Sequence, residues 1–341
     1  MSAHRILVAM SGGVDSSVAA ALLKEQGYDV RGVTCQLFPG QMDTVSCAQA
    51  VAHFLGIPCD VLDLSTLFES EVIKPFCRAY HKGLTPNPCV VCNRRVKFGV
   101  LTEHARACGA SRLATGHYAR TLRTHDCKLL KASDQTKDQS YFLYTLTQPQ
   151  LEMAMFPLGE ITKTEVRATA AHLGLAGLIR NDESQDICFI PGGDYASFVT
   201  KNQQTMPGEV VDSNGLALGR HRGLAYHTIG QRKGLGIAAA APLYVTKLDA
   251  ERNEVMVGPK EALWRTALTA RAPSWISGSA PTELSGITAR VRYKAPEVAV
   301  NIAATSDILQ VSFNASQWGI APGQSIVFYR GEEVLGGAVI D

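Results

Sequence analysis

The sequence lacks a second Cys-x-x-Cys and any His-x-x-x-His, although nine cysteines lie among its 341 residues. A structural zinc site wants four ligands, usually as two close pairs, so the single pair Cys89 and Cys92 does not announce one. No apolar run approaches the roughly 20 residues of a membrane helix, and no membrane partner is expected. The start, MSAHRILVAM, has no long apolar core region and does not read as a signal peptide. Charge of one sign is missing too: 33 Lys and Arg against 31 Asp and Glu leave a net charge of +2. A nucleic-acid surface would therefore have to be a local patch. Long repeats and low-complexity tracts are absent. The odd cysteine count and scattered spacing argue against a disulfide framework and for cytosolic thiols, which places the expected location in the cytoplasm.

What is present is an ordinary globular balance, 46% hydrophobic and 19% charged, over a length that accommodates two or three domains. The first half alternates strand and helix patterns. Strands are expected over 5–10, 29–37, 59–65 and 111–119, and helices over 16–27, 46–56, 67–83, with an interruption at Pro75, and 94–109. Such spacing predicts βαβ units and a parallel sheet covered on both faces. A further helix is expected over 161–175, where Thr162 and Glu165 have capping-box spacing. From about residue 205 the character changes. Asn214-Gly215 signals a hairpin, 243–258 reads as another, and the remainder is short strands suited to a small barrel or sandwich. The expected fold class is α/β: a parallel-sheet domain over 1–197, a small central domain over 198–258, and an all-β barrel over 259–341.

Between the first strand and the first helix lies SGGVDSS, residues 11–17. Gly12 and Gly13 permit a tight turn and a close ligand approach, and the free amides of the following helix face an anion. Ser11, Ser16 and Ser17 offer hydroxyl donors. The Gly-Lys-Ser/Thr of the Walker loop is absent. The segment instead resembles the signature of the PP-loop ATP pyrophosphatases, which cleave ATP to AMP and pyrophosphate and activate a carbonyl oxygen by adenylation. On that resemblance Asp15 is the handle on Mg²⁺ or on pyrophosphate.

Cys35, Cys47, Cys59, Cys77 and Cys108 lie among apolar neighbours and read as small buried hydrophobes, and Cys127 has no evident partner. Cys89 and Cys92 differ. They are expected in a loop just before a helix bearing Arg94, Arg95 and Lys97, surroundings that lower a thiol pKa. Cys188 stands far away in NDESQDICFIPGG. Redox pair, cluster ligand and nucleophile all remain open on spacing alone.

SGGVDSS, TPNPCVVCNRRVKF, ATGHYA, KDQSYFL, FPLGEITKTEVR, ESQDICFI and TIGQRKGLGI, in this order from residue 5 to about 240, closely resemble the tRNA-specific 2-thiouridylases of the PP-loop superfamily. The resemblance implies replacement of the C2 oxygen of a wobble uridine in tRNA by sulfur, using ATP, Mg²⁺ and a persulfide or sulfide donor protein, by a monomeric enzyme. It places ATP on Ala9, Met10, Ser11, Gly12, Gly13, Val14, Asp15 and Ser16, with Cys35 at the adenine and Gly116 at a further nucleotide contact. Cys92 matches the nucleophile and Cys188 the persulfide carrier. Asn87 and Pro88 match the segment meeting the target base, while His117, Lys137, Asp138, Gln139, Arg292, Tyr293 and Gln324 match tRNA contacts.

The sequence departs from the resemblance at Cys89, where many members carry an acidic residue. Cys89, Cys92 and Cys188 together make a three-thiol set of the kind that holds a [4Fe–4S] cluster in related thiolases; the other reading makes Cys89 a spare thiol. Two further expectations concern RNA: the basic hairpin 120–131 lies on its backbone, and Arg232 and Lys233 contact phosphate. Trp264, Trp275 and Trp318 are expected in the β core, and His221 and His227 in solvent. Rival functions are another PP-loop ligase, which needs no paired cysteines, and a non-catalytic iron–sulfur RNA-binding protein.

Overall fold

A computed structural model describes residues 4–179, 187–201, 205–305 and 307–341. Strand β1 (Arg5–Ala9) is apolar and buried on both faces, as a central parallel strand must be. It pairs in parallel with β2 (Asp29–Gln36), which pairs with the edge strand β3 (Cys59–Asp63). On its other side lies β4 (Arg112–Thr115). The chain then leaves this sheet for the hairpin β5 (Arg120–Arg123) and β6 (Cys127–Leu130) before returning as β7 (Ala154–Met155). The sheet order is β3-β2-β1-β4-β7, with one hydrophobic cluster on each face. Helix α1 (Val14–Glu25) follows β1 directly, and α2 (Met42–Phe54) joins β2 to β3. The expected capping box is present at Lys163–His172: Glu165 N donates to Thr162 Oγ1 at 3.2 Å, and Thr162 N to Glu165 Oε2 at 2.7 Å.

Three local expectations need correction. Cys89 and Cys92 sit in a helix, Pro88–Cys92, rather than in a loop; Pro88 at its first turn has no need of an amide donor there. The run continues through a π-helical stretch, Asn93–Val100, into Leu101–Ala107. Pro75 does not break its helix: Ser65–Phe68, Glu69–Ile73 and Lys74–His81 run on continuously, and the π-helical stretch Glu69–Ile73 just before Pro75 takes up the irregularity. The strand expected over 111–119 ends at Thr115, where the chain turns over the phosphate loop.

In the middle of the chain β8 (Gly208–Val211) and β9 (Ala217–His221) form the expected hairpin, with Gly215 at φ 83° and Asp212 Oδ1 accepting from Asn214 and Leu216 amides. Strands β10 (Tyr244–Asp249) and β11 (Glu254–Gly258) complete a four-stranded sheet. Six further strands, β12 (Trp264–Trp275), β13 (Thr288–Arg290), β14 (Val298–Thr305), β15 (Ile308–Trp318), β16 (Ser325–Arg330) and β17 (Glu333–Ile340), close as an antiparallel barrel through β12–β17 pairing. Trp275 stacks on Phe328 at 5.6 Å in this barrel, but Trp264 is exposed and is not core.

The basic hairpin β5–β6 joins the barrel sheet through β6, and β5 forms the edge of that sheet. Strand β6 pairs with β17, and the hairpin's cations are used internally: Lys128 meets Glu333 at 2.9 Å, Lys131 meets Glu297 at 2.6 Å, and Arg120 meets Glu332 at 3.0 Å. The first domain thus lends a hairpin to the last. Among the described residues no helix is long and apolar enough to cross a membrane.

Candidate active site

The phosphate loop is built by steric necessity. Gly12 has φ +71°, and a Cβ there would stand 2.8 Å from Thr44 O and from Cys47 Cβ, so only glycine fits. Gly13 is different: at φ −88° it is unstrained, and a Cβ would meet only Ser11 Oγ at 3.5 Å. Its missing side chain leaves an open cradle above the start of α1, whose N-cap has no side-chain acceptor. The amides there remain available to an anion. The serines are mostly spent on the loop itself. Ser17 Oγ donates to Gly13 O at 2.9 Å, and Ser16 Oγ accepts from Ser11 N at 3.0 Å, leaving Ser11 as the exposed hydroxyl. Met10 is buried against Gly32, while Ala9 and Val14 are half-buried at either end of the loop.

Two residues the motif reading passed over complete this corner. Lys163 Nζ lies 2.6 Å from Asp15 Oδ1, and Tyr118 OH donates to the same oxygen at 2.8 Å. The sequence carried a signal for both: Lys163 is the first residue after the Thr162 cap, and Tyr118 follows the TGH of a quoted motif. Gly116 is pressed onto the loop, since a Cβ there would stand 2.7 Å from Ser16 N and 2.9 Å from Asp15 C. Behind it, Gln139 and Asp138, expected as tRNA contacts, also bond within the protein. Gln139 Oε1 accepts from Tyr118 N at 3.1 Å. Asp138 is buried and accepts from Ala132 N, from Ser140 N and Oγ, and from Arg290. Lys137, beside them, is half-buried.

The thiols form the second half of the site. Cys92 is buried, Cys89 half-buried and Cys188 exposed, and all three are free. Each influences another: Cys89 and Cys188 both act on Cys92, and Cys188 acts on Cys89. The Glu183–Asp186 part of the Cys188 motif lies outside the described residues. The expectation of lowered thiol pKa values is overturned. Burial raises Cys92 to about 12 and Cys89 to about 11, because desolvating a thiolate outweighs the attraction of the nearby Lys97; Cys188 is raised as well, since its sulfur is partly desolvated although the residue is exposed. Lys97 opposes all three shifts and also acts on Cys35, which burial raises to about 12. Cys35 stands two residues past Val33, the register partner of Ala9, and acts on Cys92. A further neighbour of Lys97 is His117, 3.4 Å from its ammonium through Nε2 and 2.8 Å from Thr115 Oγ1 through Nδ1. Burial, and then Lys97, hold His117 well below 6.5, so it is a neutral imidazole at pH 7.

The sign of the thiol shifts has a consequence. A thiol raised in the fold contributes stability that is fully present below the ordinary value of 9.0 and is lost as pH climbs toward about 12. Iodoacetamide labelling of Cys92 in the free enzyme should therefore still be accelerating above pH 9, as followed peptide by peptide in a mass spectrometer. Lys97→Met should slow it further at any fixed pH. A labelling rate that levels off below about pH 8 would contradict this account of the site.

The barrel holds the loop that delivers these thiols. Thr85 N donates to Pro322 O at 2.8 Å and Gln324 Nε2 donates to Thr85 O at 3.0 Å, so Gln324 acts on the 84–88 segment directly. A Cβ on Gly323 would stand 3.0 Å from Leu84 Cβ and Thr85 N. Asn87 caps the Pro88–Cys92 helix by position and acts on the Tyr141 hydroxyl, which donates to Ser325 O at 2.8 Å. Tyr293 continues this aromatic wall, 4.5 Å from Phe142 and 6.0 Å from Tyr141. Arg292 is exposed and lies over Trp318 at 5.9 Å, and the loop containing exposed Arg232 and Lys233 rests on the same indole through Gly230. His221 and His227 are buried rather than solvated: His221 receives Gly223 N at 3.0 Å and stands 3.0 Å from Asn253 O.

Cys108, expected as a buried hydrophobe, is half-exposed and lies 3.5 Å from His104 Nε2. Cys127 is buried, and the Gln148 side chain bonds both its amide and its carbonyl.

Comparison with known proteins gives three contiguous family matches. Residues 4–192 match a profile described as the tRNA methyl transferase HUP domain, 196–259 its PRC-barrel domain, and 265–340 an aminomethyltransferase beta-barrel domain. A protein of Moorella thermoacetica called tRNA-specific 2-thiouridylase MnmA is 46% identical, covering 98% of this chain and 99% of that one. Proteins of the same name from Halothermothrix orenii and Magnetococcus marinus are 45% and 46% identical, covering 98% and 99% of this chain and the same shares of their own. Among solved structures, the U34-tRNA thiolase NcsA of Methanococcus maripaludis with its [4Fe-4S] cluster aligns at a TM-score of 0.39 and 19% identity, over 59% of this chain and 64% of that one.

Proposed function

This chain belongs to the tRNA-specific 2-thiouridylase family, and from that premise we propose that it thiolates the C2 position of a wobble uridine in tRNA at the expense of ATP. The observation that carries the reading is the closeness of a phosphate cradle and three thiols: Gly116 is pressed onto the cradle, and the next residue, His117, stands 3.4 Å from Lys97, whose charge acts on all three thiols. A PP-loop ligase of another kind would have no use for such thiols beside the nucleotide.

The residues present fit ATP. The cradle at Gly13 and the uncapped start of α1 suit its phosphates, and Gly116 lets the second motif close over the loop. Asp15 is the carboxylate available to Mg²⁺ or pyrophosphate, with Lys163 already beside it to balance negative charge. Uridine C2 is a poor electrophile. Adenylation of its oxygen polarises the carbon and supplies AMP as leaving group, with release of pyrophosphate.

A persulfide on Cys188 is the sulfur carrier in this reading, loaded by a donor protein at the exposed thiol. Thiolate Cys92 attacks Sγ of Cys188, the Cys188 persulfide bond breaks, and hydrosulfide leaves beside the substrate. Hydrosulfide then adds to C2 and AMP departs. The remaining Cys92–Cys188 disulfide is reopened by an external two-electron thiol reductant. Lys97 lowers the cost of the Cys92 thiolate, and neutral His117 leaves that cation undiluted by a competing charge. Asn87 and Pro88 face the base, and Tyr293, Arg292, Arg232 and Lys233 line the RNA path. The protein works as a monomer in the cytoplasm.

A second reading is favoured by the electrostatic effect of Cys188 on Cys89 and of both on Cys92. Cys89, Cys92 and Cys188 would hold a [4Fe–4S] cluster, whose chemistry when bound is to carry sulfide on the iron the protein leaves free. Anaerobically prepared protein should then contain iron and acid-labile sulfide that disappear in Cys89→Ser. Iron-free protein with undiminished thiolation would eliminate that reading. The family-level reading is tested by pyrophosphate release with and without tRNA. One pyrophosphate per modified tRNA is expected, and release without any tRNA dependence would contradict it.

A further inference from the structure

Outside the reaction centre the chain assembles a mixed ligand set that the activity does not use. Asp60 on the edge strand β3, with His104 and Cys108 on and just after the helix Leu101–Ala107, bring one oxygen, one nitrogen and one sulfur together. The distances are 3.1 Å from Asp60 Oδ2 to His104 Nε2, 3.5 Å from His104 Nε2 to Cys108 Sγ, and 4.0 Å from Cys108 Sγ to Asp60 Oδ2. Tetrahedral zinc, with bonds of about 2.0–2.3 Å, would separate such ligands by roughly 3.3–3.7 Å. The three edges lie within a few tenths of an ångström of that. His104 and Cys108 are four residues apart on one helical face, and strand alternation turns Cys59 away toward Met10 and Gly32.

We infer that Asp60, His104 and Cys108 form a binding site for one zinc-class divalent cation, with a water in the fourth position. The donor set, carboxylate, imidazole and thiolate, suits Zn²⁺ and disfavours Mg²⁺ or Ca²⁺, which take oxygen ligands. Arg31 has the place of an outer partner: its Nε donates to Asp60 Oδ2 at 2.8 Å and its second nitrogen meets Oδ1, orienting the carboxylate while lone pairs remain for the ion. All three ligands are half-buried, so water and metal reach them. Binding displaces the Cys108 proton to solvent and needs no redox partner.

The site's position gives it a purpose. His104 lies on the same continuous helical run as Cys89, Cys92 and Lys97, twelve residues beyond Cys92. A metal bridging this run to β3 ties the far end of the catalytic helix to the parallel sheet. The π-helical stretch in between, where register is least fixed, makes such a tether useful.

The full-length protein, stripped with a chelator and reduced with a phosphine, is titrated with Zn²⁺ against a chromophoric competitor. His104→Ala is the discriminating variant, since no active-site thiol is altered. Its loss should remove about one equivalent of tightly bound zinc, or weaken it by more than the roughly 10–100-fold that losing an outer partner costs. His104→Gln, similar in polarity, guards against a folding artefact and should behave alike with an unchanged circular dichroism spectrum. In a Cys92→Ser/Cys188→Ser background, Co²⁺ should still give a thiolate-to-metal absorption band that vanishes on adding Cys108→Ser. Equal zinc stoichiometry and affinity in the parent and His104→Ala, or a cobalt band indifferent to Cys108, would overturn the site.

Discussion

Replacing Cys92 with serine is expected to lower 2-thiouridine formation by more than about 10³-fold in single turnover, because the whole sulfur-release step passes through that thiolate. The adenylation half should survive. Pyrophosphate is released when the C2 oxygen is activated, and Cys92 has no part in that step, so a stoichiometric burst dependent on tRNA is retained. Folding should survive as well: serine is isosteric, although its hydroxyl replaces a buried thiol within the cluster of Phe68, Phe76, Val96 and Phe189. Rapid quench with nucleoside mass analysis and pyrophosphate detection separates the two halves. Loss of both activities together would move Cys92 from sulfur transfer to the general architecture of the site. Full thiolation in the variant would remove it from the mechanism.

The second large effect belongs to Asp15. Asp15→Asn keeps the shape and the acceptor for Tyr118 but removes the charge facing Lys163 Nζ at 2.6 Å. Tight tRNA binding should persist while tRNA-dependent pyrophosphate release falls by about 10²–10³-fold, the scale of losing one preorganised electrostatic contact. Lys163→Met should fall by a similar factor. The double variant should be little worse than either single one, since paired residues acting as a unit are not additive. Normal pyrophosphate release in Asp15→Asn would sink the assignment of the loop.

The parallel sheet and the phosphate loop were legible because local rules govern them: apolar runs of strand length, glycines where a Cβ collides, and a capping box at Thr162. The barrel was legible as a class from turn chemistry such as Asn214-Gly215. What was not legible depended on packing at long range. Basic neighbours in sequence suggested low thiol pKa values, yet Arg94 and Arg95 are exposed and only Lys97 turns inward against the cost of burial. The cationic hairpin β5–β6 suggested RNA, and nothing local shows that three cations of this segment pair with Glu297, Glu332 and Glu333 from the opposite end of the chain. Asp138 and Gln139 sit in a motif associated with tRNA, but their side chains brace the chain around Tyr118 and Arg290. Lys163 was visible only as a helix start, because nothing local says that its ammonium reaches Asp15.

The most direct test supplies the purified enzyme with ATP, Mg²⁺, a tRNA bearing a wobble uridine, and an isotopically labelled persulfide donor under anaerobic conditions. Digested tRNA is then read by mass spectrometry. The account predicts labelled sulfur on the wobble uridine at C2, matched one for one by AMP, with no such product in the Cys188→Ser variant. AMP formed with the uridine left unmodified, or labelled product at full yield in Cys188→Ser, would contradict it.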